Sequence, residues 1–476
     1  MFTIKEITEA TKGKLVCGDK KTIIKGISTD TRAILTGELF VALKGDRFDG
    51  QQFLKDAFKK GARAAVVEKG DSALFPTSRK RARKRALPPF SLIKVNGTKR
   101  ALGDIASAYR KRLKIPIVGI TGSSGKTTTK DMIAHILSER YKVAKTPDTE
   151  NNLIGVPLAI LKIRNESYAV IEMGTTIPGE IDYLAKIVRP SIGLITNIGP
   201  SHLEGLKTQK NILEEKSRLF SHLERRGYAV INKDDRFLSS LKIPARGGSA
   251  SGRNNKTLTF GITSKRCDYF ADEITNQKNG VQFILNKRYK FRLPAFGIHN
   301  VYNALAAISV TSALGIDAKV AQEALLDFKP AGMRFNMCKF NGIDIINDAY
   351  NSNPQSMRVA LETLCALKRK GRRIVAAADM LELGKDTNRL HYKVGRMIAK
   401  NPVDILITVG NLSGNMAKGA KDNGMDNNKV RAFGNQKEAA EYLIDISRPS
   451  DTILVKGSRA MKMEELIRCF ITYSTR

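Results

Sequence analysis

The chain has 476 residues, of which 42% are hydrophobic and 27% charged, an ordinary soluble composition with room for about three domains. No apolar run approaches the roughly 20 residues that a membrane span needs, and the opening MFTIKEITEA lacks the apolar stretch of a secretory signal, so a cytoplasmic protein without a membrane span is expected. The formal net charge of +35 raises nucleic acid or an anionic surface as a partner, but the basic residues are spread along the whole chain and would equally favour small anionic ligands. The one dense cluster, SRKRARKR at Ser78 to Arg85, precedes Pro88-Pro89 without periodicity and reads as a solvated loop, which leaves nucleic acid disfavoured. Cys17, Cys267, Cys338, Cys365 and Cys469 are scattered without a C-x-x-C pair and read as reduced thiols, neither a disulfide frame nor a metal knot.

The elements predict an α/β protein. Over the first 114 residues short strands alternate with helices: ELFVALKG as a strand, Phe53 to Lys60 as an amphipathic helix, ARAAVVEKG as a strand. The run Lys114 to Lys130, KIPIVGITGSSGKTTTK, then places a buried strand (Ile115, Ile117, Val118, Ile120), a Gly/Ser loop and a helix start in one stretch. Gly122 and Gly125 let the backbone turn around Ser123 and Ser124 so that its N–H groups face inward, and the helix beginning near Lys126 adds its positive end. Such a cradle suits a nucleotide polyphosphate, with Lys126 on the β/γ oxygens, the Thr127 hydroxyl on Mg²⁺ and Thr128 in the first turn. Met132, Ile133, Ile136 and Leu137 continue at helical spacing. The loop departs from the usual Walker pattern, because Ile120 stands five before Gly125 and the nearest glycine is Gly119.

SYAVIEMG, SIGLITNIG and YAVINKDD follow as apolar runs ending in polar or glycine residues, as parallel strands do at a ligand-bearing edge. Glu172 ends the first of these, where a carboxylate reaches a phosphate-bound Mg²⁺ or merely caps a strand; His202 follows the second and its turn. Periodicity alone makes Lys216 an exposed helix lysine. Residues 245–295 alternate in short strands and read as an antiparallel appendage, followed by the helix HNVYNALAAISVTSALG, in which Asn300 suits either a cap or the edge of an adenine. A break at PAGMR, Pro330 to Arg334, opens a last unit with IDIIND, RRIVAAADM, DILITVG and DTILVKG as strands of a second, doubly wound sheet.

In order and spacing, STDTR with GELFVALKGDRFDG, TGSSGKTTTK, TENNLIGVPLAIL, IEMG, NIGPSHLEG, EEKSRLF, FGIHNVYNALAA, GMRF, INDAYNSNP, DMLELG and LVKGSR resemble the Mur ligase family over nearly the full chain. The one-glycine departure of the phosphate loop is usual in that family. YNSNP and DMLELG favour the branch that joins D-alanyl-D-alanine to UDP-N-acetylmuramoyl-tripeptide for peptidoglycan synthesis. The resemblance implies a small α/β UDP-sugar-binding domain at 1–114, a central P-loop ATPase-like domain with a mostly parallel sheet at 115–330 and a Rossmann-like ligase domain at 331–476, acting as a monomer.

It also implies roles. ATP would be held by Gly122, Ser123, Ser124, Gly125, Lys126, Thr127 and Thr128, with Asn300 on adenine, Arg334 at the γ-phosphate and Asp348 at the ribose. Two Mg²⁺ ions would be bound through Thr127, Glu172, His202 and a carbamylated Lys216. Lys126, Lys216, His202 and Arg334 would be catalytic; Ser28, Thr29, Asp30 and Arg32 would bind UDP, and Asn151 and Asn152 would line the cleft. The implied reaction is amide ligation through an acyl phosphate. A folylpolyglutamate-synthase-like ligase shares the last two domains but lacks the module that STDTR marks, and an RNA-binding ATP switch would not bring Glu172, His202, Lys216, Arg334 and Asp348 together in family order.

Overall fold

The computed structural model describes residues 2–45, 48–68, 90–148, 150–242, 256–367 and 370–474, and the basic run Ser78 to Arg85 lies outside them. They make two compact units: Met1–Gly119 with Lys142–Met173 and Asp182–Ser191, and Ile120–Tyr141 with Gly174–Ile181 and Ile192–Arg476. Among the described residues no helix is long and apolar enough to cross a membrane, and each of the five cysteines is a free thiol.

In the first unit a five-stranded sheet runs in the order Lys14–Cys17, Ser91–Lys94, Ala64–Val67, Leu39–Val41, Ile27–Ser28. The last four are parallel and the first is an antiparallel edge. Ala64–Val67 is buried at every position, as a continuous apolar run in a parallel sheet should be. The helix Thr98–Arg110 buries Ala101, Leu102, Ile105 and Ala106, a stripe at helical spacing. The same unit holds Tyr168–Glu172, parallel to Val143–Lys145 and ending in Glu172.

The second unit contains two sheets. One runs in the order Tyr289–Leu293, Gly280–Leu285, Tyr269–Gln277, Lys256–Gly261, Tyr228–Asn232, Ile192–Ile195, then the carboxyl end of Ile117–Thr121. The expected antiparallel appendage is therefore corrected: Lys256–Gly261 pairs parallel with all of Tyr228–Asn232, and the next strand also starts parallel, so only the last three form an antiparallel meander. The last three strands are antiparallel as their alternation suggested, but KTLTFG alternates as well, and alternation alone does not distinguish parallel from antiparallel pairing. The part of that segment at 245–255 lies outside the described residues.

The other sheet runs Asn336–Phe340, Ile343–Asp348, Thr452–Lys456, Arg373–Ala378, Ile405–Val409, Val430–Phe433, with only the first strand antiparallel. Its strands alternate between two cores. Val375, Ala377, Leu406 and Leu454 pack with the helices Pro354–Ala366, Thr387–Ala399 and Gly414–Lys421. Ile374, Ala376, Ile407 and Ile453 pack with Gln436–Ile446 and Glu464–Tyr473. Helices thus cover both faces, the doubly wound arrangement expected. The two outer strands escaped the sequence reading because NMCKF and VRAF are half-exposed edges without an apolar run.

Arg372 enters this sheet with its guanidinium on the Asp451 carboxylate, Nε to Oδ1 at 3.1 Å and Nη2 to Oδ2 at 2.6 Å, and Asp451 also accepts the Arg448 N–H at 2.9 Å. Asp451 is buried and Arg372 partly exposed. Removing the acid strands both the guanidinium and a backbone donor. Asp451→Ala is expected to lower the unfolding free energy by about 2–3 kcal/mol, below the full cost of a buried pair because water still reaches the arginine; a urea titration with unchanged slope and a lower midpoint would show it.

Candidate active site around the phosphate loop

The strand Ile117–Thr121 is buried throughout and delivers the loop, and the helix Lys126–Ser138 carries it away. Gly122 and Gly125 have φ of 150° and 80°. Side chains there would also collide, since a Cβ at 122 would lie 1.9 Å from Thr196 Oγ1 and one at 125 2.4 Å from Asn303 Oδ1. Asn197 grips the loop from behind: its carbonyl accepts the Ser123 N–H at 3.0 Å, its Oδ1 accepts the Ser124 N–H at 3.0 Å, and its Nδ2 donates to the Ser124 carbonyl at 3.1 Å. Thr196 donates to that carbonyl at 2.6 Å, and the Ser123 hydroxyl donates to the Gly199 carbonyl at 3.0 Å. The Ser123 and Ser124 amides therefore hold the shape of the loop, where inward-facing amides were expected. The amides of Lys126, Thr127 and Thr128 precede the first intrahelical bond, Thr129 N–H to Gly125 O at 2.9 Å. Lys126 arches back to donate to the Gly122 carbonyl at 2.8 Å.

The helix Ile298–Ala313 packs against this one. Thr129 Oγ1 donates to Asn303 Oδ1 at 3.2 Å, Asn303 Nδ2 donates to Asn300 Oδ1 at 3.1 Å, and Asn300 Nδ2 donates to the Phe296 carbonyl at 2.8 Å. Asn300 is thus the buried end of an amide chain inside the first helical turn, and the residue at the cap position is Gly297.

Arg334 reaches the loop from the other sheet of the same unit, its Nη2 donating to Thr127 Oγ1 at 3.0 Å. Its neighbours Met333 and Phe335 are both left-handed, with φ of 60° and 56°. The Phe335 N–H donates to Asp348 Oδ1 at 3.1 Å, while Asp348 Oδ2 takes the Lys456 ammonium at 2.6 Å. Burial pushes the Asp348 carboxyl above its ordinary value and the Lys456 charge opposes that shift. Asp348 is therefore an anchor for the arginine turn as well as a candidate ribose group.

His202 sits at φ 53° before the short helix Leu203–Leu206, and its Nδ1 meets Glu382 Oε2 at 2.6 Å. That contact holds the Glu382 carboxyl below its ordinary value despite burial. Glu382 too is left-handed, at φ 61°. The expectation of an exposed Lys216 is corrected, because its exposure is 0%. The helix Gln209–Ser221 buries Ile212, Glu215, Lys216, Leu219 and Phe220, so the apolar members of the stripe carry residues 215 and 216 inward with them. Glu215 accepts the Gly179 and Ile181 N–H groups at 2.8 and 2.7 Å.

In the first unit Glu172 is 1% exposed and accepts from Asn151 Nδ2 at 2.8 Å. Asn152 instead accepts the Ile154 and Gly155 N–H groups at 3.0 Å each, in the turn that leads into the helix Gly155–Lys162. In the Ser28 to Arg32 loop, which includes Thr29, Ser28 Oγ accepts the Asp30 N–H at 3.1 Å, and Arg32, 88% exposed at its side chain, forks onto Asp30. The fork and the Arg32 N–H hold the Asp30 carboxyl down at about 2.

Thr196, Asn197, Asn303, Glu382 and Lys456 were missed by the sequence reading although each stands in or beside a landmark string. Nothing in a string tells which of its polar members supports another.

Three descriptions of one family match the chain: "Mur ligase family, catalytic domain" over residues 23–110, "Mur ligase middle domain" over 120–311 and "Mur ligase, glutamate ligase domain" over 333–459. The chain is 34% identical over 475 residues to UDP-N-acetylmuramoyl-tripeptide--D-alanyl-D-alanine ligase of Bacillus subtilis (strain 168), covering 98% of each. The chain belongs to the Mur ligase family. Among solved structures this Mur ligase is similar to MurF of Acinetobacter baumannii (TM-score 0.86, 31% identity, 99% of each chain) and to MurF of Thermotoga maritima in complex with ADP (TM-score 0.81, 25% identity, 96% of this chain and 99% of that one).

In this Mur ligase the turn that carries Glu382 depends on a buried histidine. His391 accepts the Met380 N–H on Nε2 at 2.9 Å and donates from Nδ1 to the Thr387 carbonyl at 2.8 Å, so its ring is neutral. Burial holds its pKa below the ordinary 6.5. The unfolded chain then binds more protons over the window below 6.5, so this contribution is whole above that pH and is lost as pH falls toward the lowered value. Between pH 7.5 and 5.5 the stability of the wild type should fall more steeply than that of His391→Gln, by at most about 1.4 kcal/mol per pH unit for one group; parallel denaturation curves for the two proteins would contradict this.

Proposed function

We propose that this Mur ligase joins D-alanyl-D-alanine to UDP-N-acetylmuramoyl-tripeptide at the expense of ATP, in peptidoglycan precursor synthesis. The observation that carries the reading is the Arg334 guanidinium held on Thr127 of the phosphate loop, inside a chain that matches such ligases end to end.

A carboxylate is a poor electrophile because its charge repels an amine and its oxygen is a poor leaving group. In the first step a carboxylate oxygen of the tripeptide attacks the γ-phosphorus, the β–γ P–O bond breaks, and an acyl phosphate and ADP result. Lys126, the amides of the helix start and Arg334 neutralise the charge that moves with the phosphoryl group. The dipeptide amine then attacks the acyl carbon, loses a proton, and phosphate leaves as the C–N bond remains. Closure over the acyl phosphate excludes water, which would hydrolyse it.

The donors suit Mg²⁺. In the second unit the candidates are Thr127, His202 and Lys216; in the first, Glu172, whose buried carboxylate is a hard oxygen ligand. Among the described residues no group of three or more His, Cys, Asp or Glu side chains is arranged as a metal site, so nucleotide phosphates and water would complete each shell. The ions would neutralise phosphate charge. Lys216 would qualify as a carbamate, its Nζ bonding to the carbon of CO₂ with release of a proton. Asn300 would meet adenine, Asp348 the ribose, Ser28, Thr29, Asp30 and Arg32 the uridine diphosphate, and Asn151 and Asn152 the cleft. The division at 1–114, 115–330 and 331–476, a monomeric state and a cytoplasmic location belong to the same proposal. The Ser28 to Arg32 loop on its own small sheet supports this substrate over a folyl one.

The reading is tested by a matrix of UDP-muramoyl peptides against D-alanyl-D-alanine and single amino acids, scored by phosphate release and product mass. Release with the tripeptide and dipeptide alone is expected; equal release with a single amino acid, or with RNA, would overturn it. Lys126→Ala should lower kcat about 10²-fold or more, as loss of one preorganised donor does. Lys216→Ala should be nearly inactive and partly rescued by acetate, which fills the vacated anion site; an activity indifferent to acetate would count against the carbamate.

A further inference from the structure

We infer that Tyr350 is the positioning residue of Arg334, holding the guanidinium by its ring face so that the N–H donors stay directed at phosphate oxygen. The inference rests on the proposed role of Arg334. The guanidinium carbon stands 3.8 Å from the centroid of the Tyr350 ring, inside the range of a cation–π contact. A guanidinium has five donors and no acceptor, and all its N–H bonds lie in its plane. A carboxylate partner would consume those donors and cancel the charge that a phosphoryl group needs. An aromatic face attracts the cation and consumes none of them, and here Nη2 remains on Thr127 Oγ1 at 3.0 Å.

The backbone makes the stack deliberate. The Tyr350 N–H donates to the Met333 carbonyl at 3.1 Å, and the Phe335 N–H donates to Asp348, two residues before the tyrosine. The residues on either side of Arg334 are thus tied to the segment that carries the ring, and both are left-handed, a conformation that persists only where neighbours impose it. Tyr350 is half-buried, so the contact is shielded in part from water.

The experiment compares kcat and the KM values for ATP and for the UDP-muramoyl substrate in wild type, Tyr350→Phe, Tyr350→Leu and Arg334→Ala, and in proteins carrying mono-, di- and pentafluorophenylalanine at 350. Fluorination withdraws charge from the ring face with little change of shape. Tyr350→Phe should stay within about twofold of wild type, Tyr350→Leu should lose about tenfold in kcat with the KM for the UDP substrate unchanged, and kcat should fall stepwise with fluorine count. A flat fluorine series would overturn the inference, as would a loss confined to the KM for ATP, which would make the ring a nucleotide contact. The fluorinated proteins answer the question even if the leucine variant does not fold. Normal turnover in Arg334→Ala would instead refute the role of the arginine itself, a failure separable from that of the tyrosine.

Discussion

A loop that binds phosphate through its backbone must keep its own polar groups satisfied when no ligand is there, and the second unit is organised around that demand. Asn197 meets three backbone groups of the Gly122 to Gly125 turn, and Thr196 a fourth contact, so the turn is a rigid object before any anion arrives. Everything else approaches this object from fixed directions. The strand below sets its height, the Asn300–Asn303 amides brace the helix behind Thr129, and Arg334 closes on Thr127 from the other sheet. Electrostatic stabilisation of a moving phosphoryl group requires dipoles that do not reorganise during the reaction, and these braces supply that stiffness.

The supporting residues share a chemistry. The two cations at the loop have neutral groups among their partners: Lys126 donates to a carbonyl, and Arg334 donates to a hydroxyl and lies over an aromatic ring. Where a group anchors the fold, full ion pairs appear, as at Arg372 with Asp451 and at Lys456 with Asp348, whose anchoring stands beside its candidate ribose role. A buried pair of the second kind holds position at the cost of its field, which suits a hinge of the arginine turn and would disable a phosphate ligand.

Much of this was legible in the sequence because the signals were local. KIPIVGITGSSGKTTTK encodes strand, loop and helix within one stretch, and the four inner strands of the last sheet announce themselves as apolar runs. What failed was non-local. Lys216 looked exposed because a lysine was weighed against its own chemistry and not against Ile212, Leu219 and Phe220 on the same helical stripe. The strand Lys256–Gly261 joined the parallel sheet through backbone pairing, to which KTLTFG gives no clue. That Asn151 reaches Glu172 while Asn152 binds the backbone of the turn before Gly155–Lys162 was likewise invisible, because adjacent residues leave a turn in different directions.

His202, Met333, Phe335 and Glu382 all adopt left-handed backbone without being glycine, each at a strain of about 1 kcal/mol or more. Glycine at any of them would relieve that strain and remove the side chain together, so drift toward a sturdier fold and drift away from a working site run along the same substitutions. At these positions backbone strain and the side chain that the site presents are therefore traded against each other within a single residue.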